Sequence, residues 1–249
     1  MKIAVIGCGF VGETVANFLE KHLVDVTKVD PAKYTTTLSD TRDCEAFILC
    51  LPTPDNEDGS CDDSAIKAVI DMLNTSKPIL LKSTVTSDLM QSYPDNVTYN
   101  PEFLRAQSAE KDFQNQEVFI LGGNNEEHMQ MWTNVFVPHL NEPLVRTMSR
   151  TDASMIKYTH NAWLALKVAF FHELFLNTRY TKDFNYSNLT STLGFMKNIG
   201  PSHMIAPNTD GKFGYGGHCF PKDVKALTKL TNHSILKKLI ESNKELTER

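Results

Sequence analysis

The opening of the chain constrains the fold more than any other feature, because three glycines stand there between a strand and a helix. Residues 2–6 (KIAVI) are typical of a short buried strand, and Gly7, Gly9 and Gly12 follow in the spacing G-x-G-x-x-G before a helical stretch. The first glycine permits a tight turn, the second lets a pyrophosphate approach the backbone, and the third lets strand and helix pack closely. This glycine turn (residues 7–12) predicts a dinucleotide site with the phosphates at the helix N-terminus. We expect cofactor contacts from Gly7, Gly9, Phe10, Val11 and Gly12.

An acidic residue in the expected place strengthens this interpretation. Asp30 stands at the end of the second predicted strand (24–29), 18 residues after Gly12. A carboxylate there can accept hydrogen bonds from ribose hydroxyls and would repel a 2′-phosphate, so the sequence favours NAD over NADP. A glycine turn in another kind of α/β protein is the simpler alternative and stays open at this point.

Strand-like and helical runs alternate through the first part of the chain. The predicted strands are 2–6, 24–29, 46–51, 78–81 and 118–121, and the predicted helices between them include 13–22 and 64–73. This alternation predicts an α/β fold, a Rossmann-like doubly wound parallel sheet.

The second part of the chain has a different pattern. A long apolar-rich helix is predicted over 152–176, followed by a polar stretch, a Gly-rich loop at 210–217, and helical sequence from 223 to the end. We therefore predict an NAD-binding domain over 1–148 and a smaller all-helical domain over 149–249.

Composition excludes several classes of protein. The formal charge of −5 argues against a nucleic-acid partner that needs a broad basic face. No apolar run is long enough to span a bilayer, and the N-terminus does not have the pattern of a signal peptide. The five cysteines lack paired CxxC spacing, so we expect neither a metal site nor a disulfide framework, and a cytoplasmic location.

Five further segments carry a specific resemblance. They are LPTP (51–54), KSTV (82–85), NPEFLRA (100–106), IKYTHNAWLALKVAFFHE (156–173) and GKFGYGGHCFPKDVKAL (211–227). In this order after the glycine turn, the chain resembles the UDP-glucose/GDP-mannose dehydrogenase family of nucleotide-sugar dehydrogenases. The resemblance implies two successive NAD-dependent oxidations of a sugar C6 alcohol to a carboxylate through one active-site cysteine. It also implies a homodimer and a place in UDP-glucuronate and polysaccharide biosynthesis.

Cys219 is the candidate nucleophile. It follows three glycines and precedes Lys222 and Asp223, and a nearby cation lowers the pKa of a thiol toward neutrality. A buried, inert thiol is the alternative, and it fits better for the cysteines in apolar surroundings, which are Cys8, Cys44 and Cys50. Cys61 lies in a polar loop that we expect to be exposed, and we assign it no role.

Lys157 and Asn161 stand four residues apart on the long predicted helix and therefore share a face. Such a pair could direct an ammonium and a carboxamide at one oxygen, which suits the oxyanion of a thiohemiacetal. A solvated surface lysine is the ordinary alternative. The match of K-Y-x-x-N-x-x-L-A-x-K-V to the helix of the family favours the functional interpretation.

The resemblance implies roles for further residues. Asp223 positions water together with Lys157, Lys222 reaches the cofactor, and Glu102 activates water. Thr84 lies beside the nicotinamide and the water, and Thr53 lies along the cofactor, although a turn and a strand end are their plainer interpretations. The residues expected to line the sugar are Glu102, Phe103, Leu104, Arg105, Lys157, Asn161, Gly211, Lys212 and Gly216.

Two departures from the family pattern accompany the resemblance. Many relatives carry a second glutamate after PEFLR, where this chain has Ala106. Relatives continue beyond the helix that resembles 235–249 into a further α/β domain, a UDP-binding domain that we expect this chain to lack.

The sequence therefore predicts an NAD-dependent nucleotide-sugar 6-dehydrogenase that converts UDP-glucose to UDP-glucuronate, with the choice between UDP and GDP sugars left open. One alternative is a single-step dehydrogenase of the β-hydroxyacid type, which needs no nucleophilic cysteine. The other is a non-catalytic binding protein descended from the enzyme, which has no need to keep Cys219, Lys157, Asn161 and Asp223 together.

Overall fold

The computed structural model describes residues 1–105 and 107–249. The departure from the family at Ala106 lies outside the described residues. The chain divides into two compact units, the first formed by 1–56 and 61–157 and the second by 57–60 and 158–249. We predict the domain boundary from the sequence at 148/149, between the last strand and the long helix, whereas this division falls within the helix.

The first unit is built on one seven-stranded sheet. Its strands are β1 (Lys2–Ile6), β2 (Asp25–Val29), β3 (Ala46–Leu49), β4 (Ile79–Leu81), β5 (Val97–Tyr99), β6 (Val118–Gly122) and β7 (Leu144–Met148). Their order across the sheet is β2-β1-β3-β4-β5-β6-β7. β1 to β4, all predicted, run parallel with β5, which was not predicted, and β6 and β7 run parallel to each other. However, β6 lies antiparallel to β5, so the sheet is mostly rather than wholly parallel.

Helices cover both faces of this sheet. The helices before residue 140 are α1 (Phe10–Lys21), α2 (Ser64–Leu73), α3 (Ala109–Gln114) and α4 (Glu126–Phe136). Alternate residues of β1 enter different cores: Ile3 and Val5 pack in one, and Ala4 and Ile6 in the other. This period of two is what a strand buried on both faces requires. The predicted Rossmann-like, doubly wound fold is confirmed.

The second unit is helical. A long helix, α5 (Arg150–Thr178), leads into it, and α6 (Tyr186–Phe195), α7 (Phe220–Thr231) and α8 (Ser234–Thr247) follow. The helical sequence predicted from 223 onward forms two helices, because Asn232 takes a left-handed conformation with φ +53° and ends α7. Among the described residues, no helix combines the length and apolarity needed to cross a membrane.

Candidate active site

The glycine turn connects β1 to α1 and contains glycines of two kinds. Gly7 has φ +85°, and a Cβ on it would lie 2.6 Å from the carbonyl oxygen of Cys50. A Cβ on Gly12 would collide with the carbonyl oxygen of Gly7. Gly9 has φ −70°, and no described atom outside its immediate neighbours lies within 4 Å of its Cβ position. The protein itself thus requires glycine at 7 and 12, whereas the space at Gly9 suits a pyrophosphate close to the backbone.

The start of α1 faces the same turn. Gly9 is the N-cap and supplies no side chain to the first N–H groups of the helix. Phe10 is exposed and Val11 is half-buried. Uncapped N–H groups and the helix dipole together favour an anion at this position, so the turn fits the diphosphate of a dinucleotide.

Asp30 lies beside the glycine turn. Its Oδ2 accepts a hydrogen bond of 2.9 Å from the N–H of Cys8, and its Oδ1 accepts one of 3.0 Å from the N–H of Ala32. Each carboxylate oxygen keeps a further lone pair, so the group can still accept hydrogen bonds from ribose hydroxyls. The ammonium of Lys33 donates to the carbonyl oxygen of Cys8 at 2.6 Å and closes this side of the turn.

Thr53 and Thr84, both predicted near the cofactor, contact each other. The buried hydroxyl of Thr53 donates to the carbonyl oxygen of Thr84 at 2.8 Å. The sulfur of Cys61 lies 3.6 Å from that same oxygen. The expectation that Cys61 is exposed was wrong: it is buried, because a backbone bridge between Asp55 and Cys61 folds the polar loop back on itself.

Lys157 and Glu102 form a buried ion pair in the first unit. Lys157 is 3% exposed, and its Nζ lies 3.3 Å from Oε1 of Glu102 and donates to the Glu102 carbonyl oxygen. The ammonium also lies 5.1 Å from the centre of the Phe103 ring, and Oε2 of Glu102 accepts from the N–H of Leu104 at 2.7 Å. The solvated surface lysine that the sequence left open is therefore excluded.

Arg105 has its hydrogen-bonding groups directed at Asp112. Its Nε and Nη2 lie 2.9 and 2.6 Å from the two carboxylate oxygens of Asp112, and its backbone N–H lies 3.0 Å from one of them. This pairing lowers the pKa of Asp112 to about 2. The contact of Arg105 with a sugar stays a prediction.

Lys82 is a buried amine that has no place among the site residues predicted from the sequence. Its Nζ donates to Oδ1 of Asn100 at 2.6 Å, and Nδ2 of Asn100 donates to the carbonyl oxygen of Ile120 at 2.6 Å. Burial lowers the pKa of Lys82 to about 8. A lysine directly after an apolar strand, as in LLKST, is the signal that could have identified it.

A second group of candidate residues gathers at the N-terminus of α7. Cys219 is the exposed N-cap of this helix, and its carbonyl oxygen accepts from the N–H of Asp223 at 2.9 Å. The Asp223 carboxylate is 1% exposed and has two partners: Nδ2 of Asn161 at 2.6 Å and Nζ of Lys222 at 2.8 Å. Asn161, 62 residues away in the sequence, is thus hydrogen-bonded to the first turn of α7, where Cys219 is exposed.

The side chains of Lys157 and Asn161 bind different carboxylates. Both residues lie on α5, as predicted, but Lys157 pairs with Glu102 and Asn161 with Asp223. The sequence predicts that the two side chains bind one oxygen of the substrate. Since that oxygen belongs to a ligand, this stays a prediction.

The glycine-rich segment that ends at Cys219 (residues 211–219) is called here the Cys219 loop. Gly211 and Lys212 are exposed at its start. Gly216 is not among the glycines at positive φ, and no described atom beyond its chain neighbours lies within 4 Å of its Cβ position. As at Gly9, the described protein does not require glycine here, which leaves room for a ligand close to the backbone.

Comparison with known proteins identifies the family. Residues 31–140 match the NAD-binding domain of the UDP-glucose/GDP-mannose dehydrogenase family, and residues 151–248 match its central domain. The chain belongs to this family. The match confirms the resemblance inferred from the motifs and identifies NAD as the cofactor. Members of the family are NAD-dependent oxidoreductases that act on CH–OH groups.

Individual relatives agree with this assignment. The UDP-glucose 6-dehydrogenase of Rickettsia felis is 30% identical over 247 residues, an alignment that covers 91% of this chain and 54% of the relative. A UDP-glucose dehydrogenase structure from Pyrobaculum islandicum superposes with a TM-score of 0.85 at 22% identity, covering 98% of this chain and 68% of that one. The chain thus spans about half the length of the curated relatives it matches.

A shorter dehydrogenase has a similar fold. The 3-hydroxyisobutyrate dehydrogenase of Mycobacterium tuberculosis, solved with L-serine, superposes with a TM-score of 0.74 at 15% identity and covers 96% of this chain and 91% of that one. At this identity the likeness concerns the fold alone.

Proposed function

We propose that this chain is an NAD-dependent nucleotide-sugar 6-dehydrogenase that converts UDP-glucose to UDP-glucuronate. The observation that carries the proposal is the exposed Cys219 at the N-terminus of α7, in the same helical turn as Asp223, whose buried carboxylate binds Asn161 and Lys222. A thiol that serves only packing does not need an exposed helix N-terminus, a position that favours an anion such as a thiolate. The preference for UDP-glucose follows the names of the relatives.

The thiol allows a four-electron oxidation to proceed in two steps. In the first oxidation C6 of the sugar loses a hydride and its hydroxyl loses a proton, which leaves an aldehyde. The Cys219 sulfur then bonds to the aldehyde carbon while the oxygen gains the thiol proton, giving a thiohemiacetal. A second loss of hydride and proton leaves a thioester, and water breaks its C–S bond, releases the acid and returns a proton to sulfur. NAD, when bound, supplies the hydride acceptor for both oxidations.

The first unit supplies the groups proposed to hold the cofactor. The glycine turn receives the diphosphate, Asp30 accepts from the ribose hydroxyls, and Thr53 and Thr84 lie along the nicotinamide half. Glu102 is the proposed base for the hydrolytic water, and Lys157, which already neutralises it, is one of two donors proposed for the oxyanion. Asn161 is the other donor, held in place by Asp223.

A single-step dehydrogenase is the second candidate. The sequence leaves it open, and the likeness to the Mycobacterium tuberculosis enzyme, which concerns the fold alone, is compatible with it. Such an enzyme forms one NADH for each substrate molecule and needs no thiol.

The stoichiometry of NADH tests both candidates. Purified protein with excess NAD and limiting UDP-glucose should form two NADH for each sugar, measured by absorbance, with UDP-glucuronate identified by mass spectrometry. Cys219→Ser should form at most one, because the thioester cannot form. The matched control is Cys44→Ala, which removes a buried thiol two residues before β3. One NADH per sugar in the wild type would favour the single-step enzyme, and NAD binding without any NADH would favour a binding protein.

We also propose that the protein is a cytoplasmic homodimer. In support, α5 exposes Trp163 and Phe170, which are 60% and 59% exposed and lie seven residues apart on one face of the helix. Light scattering coupled to size exclusion measures the mass, and a monomer at micromolar concentration would contradict the dimer.

A further inference from the structure

Two consecutive residues of the Cys219 loop have all their backbone polar groups bound by side chains from elsewhere in the second unit. The first anchor is His172 on α5, which is 1% exposed. Its Nδ1 lies 2.8 Å from the N of Gly214, and its Nε2 lies 2.8 Å from the carbonyl oxygen of Ile205. Because a backbone N–H only donates and a carbonyl only accepts, these partners assign the neutral ring with its proton on Nε2.

The second anchor is Asn243 on α8. Its Oδ1 accepts from the N–H of Tyr215 at 2.7 Å, and its Nδ2 donates to the carbonyl oxygen of Tyr215 at 3.0 Å. The carbonyl oxygen of Gly214 in turn accepts from Nδ2 of Asn208 at 2.9 Å. The N–H and C=O of both Gly214 and Tyr215 are thus paired with side chains, an arrangement that we call the loop clasp (His172, Asn208 and Asn243).

The loop clasp explains why residue 214 is glycine. Gly214 has φ +80°, and a Cβ on it would lie 2.6 Å from Oδ1 of Asn243 and 2.9 Å from Cγ2 of Thr247. No side chain fits between the loop and α8 while Asn243 binds Tyr215. The close approach of α8 to the loop therefore depends on this glycine.

Tyr215, the second residue held by the loop clasp, lies four residues before Cys219. Gly216, Gly217 and His218 stand between them, and Cys219 is the N-cap of α7. The path of the loop toward Cys219 is consequently defined at one end by the clasp and at the other by the first turn of α7. Glycines restrict their own conformation least, so this short segment depends on its two ends for order.

We propose that His172 and Asn243 are positioning residues that hold the Cys219 loop in the conformation from which Cys219 reacts. This inference rests on the proposed function, because it assumes that Cys219 is the nucleophile. The ring of His172 also packs edge-on against the ring of Phe213, with 5.8 Å between the ring centres. A phenylalanine at 172 should therefore keep this packing and lose both hydrogen bonds of the imidazole.

Four variants test the proposal. His172→Phe removes both hydrogen bonds, whereas His172→Asn places an amide oxygen near the former Nδ1 and should restore the bond to Gly214. Asn243→Ala tests the second anchor and keeps the test open should His172→Phe fold poorly. Tyr186→Phe is the control, because its hydroxyl lies within hydrogen-bond distance of the carbonyl oxygens of Phe171 and Met204 in the same unit, and neither bond is to the Cys219 loop.

Hydrogen exchange followed by mass spectrometry measures how well the Cys219 loop is ordered, and it does not require the protein to be active. Exchange in a peptide covering 211–219 should be about tenfold faster in His172→Phe and Asn243→Ala, and close to wild type in His172→Asn and Tyr186→Phe. With UDP-glucose and NAD, kcat should fall about tenfold in the first two variants and recover in His172→Asn, while the KM for NAD stays unchanged.

The outcomes separate the two proposals. Unchanged exchange in His172→Phe and Asn243→Ala, or equal acceleration in Tyr186→Phe, would overturn the clasp. Faster exchange with an unchanged kcat would overturn the positioning role. If the wild type forms no NADH while exchange behaves as expected, the proposed function fails and the positioning role fails with it, but the clasp as the holder of the loop is supported.

Discussion

The two glycine-rich segments of this chain are held by different kinds of neighbour. In the glycine turn, a Cβ on Gly7 or Gly12 would meet backbone atoms of Cys50 or Gly7, which belong to the sheet and its first turn. In the Cys219 loop, a Cβ on Gly214 would meet the ends of two side chains, those of Asn243 and Thr247. Backbone cannot yield without moving a strand, whereas side chains can turn aside at the expense of their hydrogen bonds.

This difference determines which segment can be interpreted from sequence. A turn that is fixed by its own backbone needs a set spacing of glycines, and that spacing is visible in one short stretch. A loop that is fixed by distant side chains does not reveal its anchors, since His172 and Asn243 lie 42 and 28 residues from their partners. The next four predictions test this comparison.

The largest effect should come from Gly12→Val, in the turn fixed by backbone. The new side chain would collide with the Gly7 carbonyl and lie against Cβ of Cys50, so we expect a loss of about 3 kcal/mol or more in the free energy of unfolding. Urea denaturation measures it. The control is Gly123→Ala, whose Cβ would lie 3.4 Å from the flexible end of Met129 and should cost under about 1 kcal/mol. Equal losses in the two variants would contradict the backbone explanation.

Gly214→Ala should cost less, about 2 kcal/mol, because it combines a positive φ with a side-chain collision. Asn243→Ala removes the closest colliding atom. The double variant should therefore be more stable than the sum of the single losses predicts, by at least about 0.5 kcal/mol in a denaturation cycle. Additive losses would show that Asn243 is not the obstacle.

Acid should weaken the second unit through His172. Burial lowers the pKa of this imidazole below its usual 6.5. As the pH falls below 6.5 the unfolded chain binds the proton first, so the free energy of unfolding falls, by at most about 1.4 kcal/mol per pH unit. The contribution is fully present above pH 6.5. His172→Asn should flatten this part of the stability profile, measured by denaturation from pH 7 to 5, and an unchanged slope would refute the assignment.

The smallest effect on stability should come from Gly9→Ala and Gly216→Ala, the two positions with open space. We expect changes within about 0.5 kcal/mol, since no described atom meets the new methyl group. Gly9→Ala should nevertheless weaken NAD about tenfold or more, measured by calorimetry, because the methyl occupies the place of the diphosphate. If Gly9→Ala bound NAD with the affinity of the wild type, the glycine turn would not be the site of the phosphates.

Much of the fold and of the candidate site follows from local sequence. Gly7 follows the apolar run 3–6, Asp30 follows the alternating run 24–29, and Thr84 stands three residues after the apolar run 79–81. The grouping of Cys219 with Lys222 and Asp223 is contained within five residues. These features are local, so one window of sequence contains the whole signal.

The features that the sequence did not reveal are either short elements or contacts between residues far apart in the chain. β5 has three residues and β7 is a half-exposed edge strand, so neither forms an apolar run. Cys61 lies in a polar segment and is buried only because the chain folds back at Asp55. The partner of Lys157 stands 55 residues away, and nothing in either segment alone indicates that they pair.

The reversal of the last two strands has a consequence for Lys157. Because β7 runs against β1–β5, it delivers the chain to the edge of the sheet opposite the glycine turn, where Arg150 donates to the carbonyl oxygen of Pro94, just before β5, at 2.8 Å. Seven residues of helix, about 10 Å, then carry the chain back across the sheet to Glu102, just after β5. A seventh strand in the direction of β1–β5 would have ended at the edge of the sheet that carries the glycine turn, and α5 would have started there. The direction of β6 and β7 thus determines that the first two turns of α5 run toward the edge of the sheet where Lys157 meets Glu102.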